Sequence, residues 1–189
     1  MEREKTKAEI IEATRELFCL KGFHATRMDD IVEASNTSKG TLYYYFDNKQ
    51  ELFEAMINKV ISRLFQEIIE ITENNLMVRD KLAGIIAAIA GFYRDNFELT
   101  YAVFMQSGAP DPEFKKQLWN WQNNFLDKTE EVIIEGIEKG LLQDKDSRLM
   151  ARSFLGLTSF FGPSTIEDSY DLETLVDFVL DLYLKGVES

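Results

Sequence analysis

One cysteine and one histidine in 189 residues leave little material for a disulfide or a metal site. Cys19 has no second cysteine to pair with, and its setting in an apolar helical stretch points to core packing. His24 alone cannot build a zinc site, and helical di-metal enzymes and zinc proteases both need more histidine than this. No Ser-His-Asp set is visible, nor a glycine-rich phosphate loop following a strand. Carboxylate pairs such as Asp29/Asp30 and Glu130/Glu131 are adjacent along helices, so they point apart. No catalytic residue, metal ligand or cofactor is therefore expected, and the chain does not read as an enzyme. Prolines number only three and 45% of residues are apolar, which excludes a disordered chain. No run of about 18 uncharged apolar residues is long enough to cross a bilayer. The charged start, Met1-Glu2-Arg3-Glu4-Lys5, carries no apolar signal segment, so a cytoplasmic protein without a membrane partner is expected.

Basic charge is also scarce. The net charge is −12, which on its face argues against nucleic acid. The imbalance is uneven. Residues 1–50 hold eight Lys/Arg against nine Asp/Glu, whereas residues 51–189 hold thirteen against twenty-four. The acidity lies in the second part. In the first, Arg27, Lys39 and Lys49 can cluster on one face while Glu9, Glu12 and Glu16 sit elsewhere.

The stretch Thr26–Lys49 organises that first part. Lys5–Lys21 is an amphipathic helix with Ile10, Ile11, Thr14, Leu17 and Phe18 on one face; Gly22 stops it and Phe23 folds back onto it. Thr26 is expected to cap a second helix, with Asp29 as its acidic partner three residues on. Ile31 and Val32 turn inward, and the polar run Ser35-Asn36-Thr37-Ser38 breaks that helix and offers hydroxyls to cap the next. The third helix, about Lys39 to Phe46, buries Leu42 and Phe46. Three consecutive tyrosines, Tyr43, Tyr44 and Tyr45, cannot all face inward, so at least one phenol is exposed. Gly40 lets backbone approach phosphate or base edges, and the helix start adds N–H groups. A short helix with a lysine, small hydroxyls and tyrosines at its exposed start suits a duplex groove. Lys49 opens a new helix capped by Asn48 with Glu51, where a cation is unfavourable unless an anion visits.

The segments Phe23-His24-Ala25-Thr26, Asp30-Ile31-Val32, Ser38 to Phe46 (SKGTLYYYF) and Asn48 to Leu52 (NKQEL) closely resemble the N-terminal domain of TetR/AcrR-type transcriptional regulators. The resemblance spans about residues 5–60; beyond it only the all-helical pattern is similar. It implies an all-α protein of about nine helices: a three-helix helix-turn-helix DNA-binding domain at 1–48, then a helical-bundle ligand-binding and dimerisation domain at 49–189. It also implies a homodimer, paired through its last two helices, that binds a pseudo-palindromic DNA operator and releases it when a small-molecule effector enters the second domain. Thr26, Arg27, Ser38, Lys39, Gly40, Thr41, Tyr43, Tyr44 and Lys49 are the candidate DNA-binding residues, with a phosphate as the partner the resemblance assigns to Lys49. Tyr45 stands where the family often has histidine, so a contact there is not carried over.

Downstream, apolar spacing predicts helices over Lys49–Asn75, Val78–Asn96, Leu99–Gln106, Pro112–Lys139, Asp146–Phe161 and Asp171 to near the end, with Gly140 and Gly162-Pro163 as breaks. The first of these is long enough to act as a lever between the two domains. Phe92, Tyr93, Tyr101, Phe104, Met105, Trp119, Gln122, Phe125 and Phe154 are the candidate ligand-binding residues, because aromatics and a flexible methionine suit a hydrophobic or aromatic compound. Taken singly, plain core is the safer reading of each. The rival reading of the whole chain is a helical ligand-binding or interaction module without sequence-specific DNA binding; intact Lys39, Gly40, Thr41, Tyr43 and Lys49 speak against it.

Overall fold

The computed structural model describes residues 2–96, 112–158 and 171–187. Among these, eight helices and no strand are found: α1 (Glu2–Lys21), α2 (Met28–Ala34), α3 (Lys39–Tyr45), α4 (Lys49–Glu73), α5 (Val78–Asp95), α6 (Pro112–Glu138), α7 (Ser147–Thr158) and α8 (Leu172–Val187). The all-α expectation holds. The helix expected at Leu99–Gln106 and the break at Gly162-Pro163 lie outside the described residues.

Side-chain and glycine caps set several of the helix ends. Gly22 takes a left-handed φ of 78° and its N–H donates to the Phe18 carbonyl at 2.9 Å, which ends α1. Gly140, at φ 67°, does the same after α6. Ser38 Oγ accepts the Thr41 N–H at 3.0 Å to start α3. At α4, Asn48 Oδ1 accepts the Glu51 N–H while the Glu51 carboxylate accepts the Asp47 N–H. Asp146 and Asp171 cap α7 and α8 by accepting the Leu149 and Thr174 N–H groups, both at 2.8 Å.

The α2 start departs from expectation by one residue. Thr26 is 1% exposed and its hydroxyl donates to the Gly22 carbonyl at 2.9 Å. It locks the turn after α1, and the N-cap is Arg27. Arginine has no acceptor to offer, so only the acidic half of a capping box operates: Asp30, not Asp29, accepts the Arg27 N–H at 2.8 Å.

The described residues divide into two compact units, up to Ser62 and from Arg63 onward. The first unit closes over Ile10, Phe18, Ile31, Leu42, Phe46, Leu52, Phe53 and Met56, all at 4% exposure or less. Phe23 stands edge-on to Phe18 and Phe53, at 5.3 and 5.1 Å between ring centres. In the second unit α5 packs against α6 and α8, and α6 against α7. Leu82, Ile85, Ile86, Ile133, Phe154 and Leu180 fill its core. Phe154 meets Tyr183 edge-on at 5.0 Å, and the Tyr183 hydroxyl donates to the Met150 carbonyl at 3.1 Å. Burial pushes the Tyr183 phenol up to about 12. Lys81, nearly buried on α5, is held by Glu135 of α6 at 2.8 Å. Arg79 reaches Asp181 of α8 at 2.9 Å.

The glycines of the second unit differ in purpose. A Cβ at Gly84 would lie 2.9 Å from Ile71 Cγ2, so α5 approaches α4 closely there. At Gly136 a Cβ would come within 2.6 Å of Leu142 Cδ1 and 3.1 Å of Val78 Cγ1, whereas Gly91 has nothing within 4 Å. Gly136→Ala is therefore expected to cost about 1–3 kcal/mol from overpacking, against about 1 kcal/mol returned by helix propensity. Gly91→Ala should raise the stability by up to about 1 kcal/mol. Paired thermal denaturation of the two variants checks the contrast; equal shifts would refute it.

Candidate nucleic-acid interface

The third helix owes its orientation to two apolar anchors. Leu42 and Phe46, at 0% and 2% exposure, pull one side of α3 into the core of the first unit. The 3.6-residue period then turns Lys39, Gly40, Tyr43 and Tyr44 to solvent, with Thr41 and Tyr45 on the flanks. Tyr44 is 68% exposed and stands edge-on to Tyr45 at 5.0 Å. Two large phenols exposed beside a cation form a surface that can hydrogen-bond to phosphate and stack against sugars or bases.

The turn before α3 is held by hydroxyls. Ser35 Oγ donates to the Ile31 carbonyl at 2.6 Å and lies 2.8 Å from Thr37 Oγ1. Ser38 Oγ and Thr41 Oγ1 are 2.8 Å apart. Asn36 adopts φ 50°, the left-handed conformation that asparagine tolerates at the tip of the turn. An open groove of about 740 Å³ runs between this turn and the outer face of α1. Glu9, Glu12 and Glu16 line its α1 wall, with Glu12 paired to Arg15 at 2.7 Å and Lys59 at 3.4 Å.

The candidate DNA-binding residues thus fall into two groups. Lys39, Gly40, Tyr43 and Tyr44 form one exposed face with Ser38 and Thr41 at its start, and Arg27 is exposed at the start of α2. Thr26 and Lys49 sit elsewhere in the chemistry. Thr26 is buried, as above. Lys49 Nζ donates to the Phe23 carbonyl at 2.7 Å and the Thr26 carbonyl at 2.9 Å, and lies 4.4 Å from the centre of the Phe23 ring. Partial burial pulls its pKa below the ordinary lysine value. In this structure carbonyl dipoles of the α1–α2 turn hold the Lys49 ammonium. Nothing in the spacing of the sequence pairs Lys49 with a segment 23 to 26 residues earlier.

The candidate ligand-binding residues are spread more widely. Phe92 and Tyr93 are half-buried at the end of α5, their rings 5.7 Å apart, and burial raises the Tyr93 pKa. Phe125 of α6 packs edge-on to Phe65 at 5.5 Å, and Trp121 meets the same ring at 5.7 Å. Trp119 and Gln122 are exposed on α6, while Phe154 is fully buried. Tyr101, Phe104 and Met105 lie outside the described residues. Phe65 is the aromatic that the sequence does not mark: it flanks the apolar stripe of α4, and only its packing against Trp121 and Phe125 of α6 singles it out.

A short helix with an exposed lysine and phenols, anchored by two core residues and joined to its predecessor by a polar turn, is a DNA-binding helix-turn-helix. Comparison with known proteins agrees. The model of the tetR family of bacterial regulatory proteins matches residues 10–56, and that of the tetracyclin repressor-like C-terminal domain matches residues 75–161. The chain belongs to the tetR family of transcriptional regulators. It is 27% identical over 184 residues to the uncharacterized HTH-type transcriptional regulator YhgD of Bacillus subtilis, covering 95% of each chain. Its fold is similar to that of FadR from Bacillus subtilis in complex with stearoyl-CoA, with TM-score 0.75 and 21% identity over 95% of this chain and 98% of that one. The fatty acid degradation regulator FadR from Bacillus halodurans gives TM-score 0.78 at 24% identity over 96% and 95% of the two chains.

The Lys49 tie has a measurable weight. Lys49→Met should lower unfolding stability by about 1–2 kcal/mol, since charge-assisted bonds to carbonyls exceed neutral ones and this ammonium is only partly shielded from water. Chemical denaturation followed by circular dichroism checks it; an unchanged midpoint would mean the tie holds nothing.

Proposed function

We propose that this regulator is a homodimeric repressor that leaves a pseudo-palindromic operator when a hydrophobic small molecule occupies its second domain. The observation that carries the DNA-binding half is the exposed α3 face of Lys39, Gly40, Tyr43 and Tyr44 on its Leu42/Phe46 anchor. In this reading residues 1–48 form the DNA-binding domain and 49–189 the ligand-binding and dimerisation domain. Lys39 and Thr41 face base edges, Arg27, Tyr43 and Tyr44 meet phosphates, and Ser38 and Gly40 allow the close approach. Thr26 and Lys49 contribute by fixing the turn that places α3.

The effector class follows from two supports. The second unit carries half-buried aromatics, Phe65, Trp121 and Phe125 in one cluster and Phe92 with Tyr93 in another. The similarly folded FadR of Bacillus subtilis binds stearoyl-CoA. A long acyl chain is the effector we assign. Differential affinity for the two states is what moves the equilibrium, and about 3 kcal/mol of coupling weakens DNA binding roughly 150-fold. Helix α4, continuous from Lys49 to Glu73, is the lever in this scheme.

Two measurements test the reading. A duplex selected by the protein from a random-sequence pool should bind, by fluorescence anisotropy, at least 10³-fold more tightly than scrambled duplex. Tyr44→Ala should weaken that binding about tenfold or more, and stearoyl-CoA, but not coenzyme A alone, should release it. Selection that yields no preferred sequence would reject the repressor reading in favour of a helical interaction module.

Dimerisation is supported by exposed apolar side chains on the last two helices. Leu149, Phe178 and Leu182 are 62%, 66% and 54% exposed in the single chain. A two-fold pairing would bury them, and a dimer spaces two recognition helices for successive groove turns. Phe178→Asp should shift the protein from dimer to monomer in sedimentation equilibrium and abolish operator binding. A dimer that survives the change would place the interface elsewhere.

A further inference from the structure

Asp29 and Lys39 are ten residues apart, in the first turns of α2 and α3, and Lys39 Nζ donates to Asp29 Oδ1 at 2.7 Å. Their side chains are 64% and 73% exposed for the lysine and the aspartate. A pair this open to water contributes little to folding. Its effect falls instead on Lys39, the cation at the head of the exposed α3 face. The hydrogen bond to Asp29, and then the Coulombic attraction, hold the lysine pKa above its ordinary value, so the ammonium stays charged and occupied.

We propose that Asp29 is a specificity-determining residue, which withholds Lys39 from phosphates and yields it only to a base edge rich in acceptors. The proposal rests on the reading of α3 as the DNA-contacting helix. The physical argument is one of exchange. A phosphate drawn toward Lys39 meets the Asp29 carboxylate beside it, and the pair together carries no net charge. The counterion-release gain that normally drives sequence-independent binding is then cancelled at this position. A guanine edge offers O6 and N7 acceptors without a full negative charge, so it can take the ammonium with little repulsion from Asp29. Asp29 therefore costs non-specific complexes more than the specific one, which is discrimination by a repulsive element. Neighbouring charges do not duplicate this role. Asp30 is committed to the Arg27 N–H and lies 3.7 Å from Lys21 Nζ.

The test uses the full chain, the duplex it selects from a random pool and a scrambled duplex of equal length. Anisotropy is read over a salt series for wild type, Asp29→Asn, Lys39→Gln and the double variant. Asp29→Asn should bind scrambled duplex about five- to tenfold more tightly, with a salt slope steeper by about one. Its affinity for the selected duplex should change less than twofold, so discrimination falls. In the Lys39→Gln background the same change should move both duplexes equally. Equal gains on both duplexes with Lys39 present would overturn the proposal, as would unequal gains with Lys39 removed. Asp29→Ser must repeat the result, which guards against a folding defect peculiar to one variant. A wild type that discriminates alongside an equally discriminating Asp29→Asn sinks this inference alone; a wild type that fails to discriminate sinks the reading of α3 and this inference with it.

Discussion

The turn between α1 and α2 brings the carbonyl oxygens of Phe23 and Thr26 to one point, and the Lys49 ammonium sits there. Backbone carbonyls in a tight turn have no N–H partners of their own and need some donor. Lysine supplies several N–H groups from a single flexible stem, and its cation lies over the Phe23 ring as well. One side chain thereby joins the first residue of α4 to the segment that positions α2. Thr26 secures the same turn from within, through the Gly22 carbonyl. The orientation of α3 depends on this pair of ties, because α3 follows α2 after only a few residues and packs through Leu42 and Phe46 against the core they frame.

The distribution of charge follows a consistent logic. Acidic side chains line the α1 wall of the groove, and the body beyond residue 50 is strongly acidic. The exposed α3 face carries a single cation, Lys39, together with phenols. A surface of this kind gains little from long-range attraction to DNA, so its affinity depends on close, directional contacts. Hydrogen-bonding phenols and a lysine already paired are suited to short-range discrimination. A protein built this way loses comparatively little of its selectivity to the bulk of the genome, where only charge is on offer.

Much of the fold is legible in the amino-acid order because helix ends are local events. Gly22, Ser38, Asn48, Gly140, Asp146 and Asp171 each act within a few residues, and each does what its position implies. The exposed face of α3 is readable for the same reason: Leu42 and Phe46 fix the helical phase, and the tyrosines cannot all follow them inward. Thr26 shows where local reading fails. A threonine before a helix looks like a cap, but here burial claimed its hydroxyl for the preceding glycine's carbonyl, and the cap moved to Arg27. The Lys49 tie spans more than twenty residues, and no periodicity encodes it. The aromatics of the second unit are harder still. Phe154, Phe125 and Trp119 look alike in sequence, yet one is sealed in the core, one is half-covered and one faces solvent. What separates them is which helix lies opposite, a fact about packing between distant segments.

The contact between α5 and α8 shows how far apart in sequence such segments are. Arg79 and Asp181, which bridge these two helices, are 102 residues apart. Among the described residues the first unit, by contrast, gathers its core from the opening 62. Contacts between near neighbours form quickly, whereas distant ones must first overcome the entropy of closing a long loop. During synthesis from the N-terminus, α1, α2 and α3 can complete their packing while α8 has still to be made. Until α8 arrives, the face of α5 that it covers stays open to water, and an apolar face left open is a site for wrong associations. The growing chain therefore holds a packed helix-turn-helix before its second unit can close, and the closing helix governs when the molecule becomes safe as well as complete.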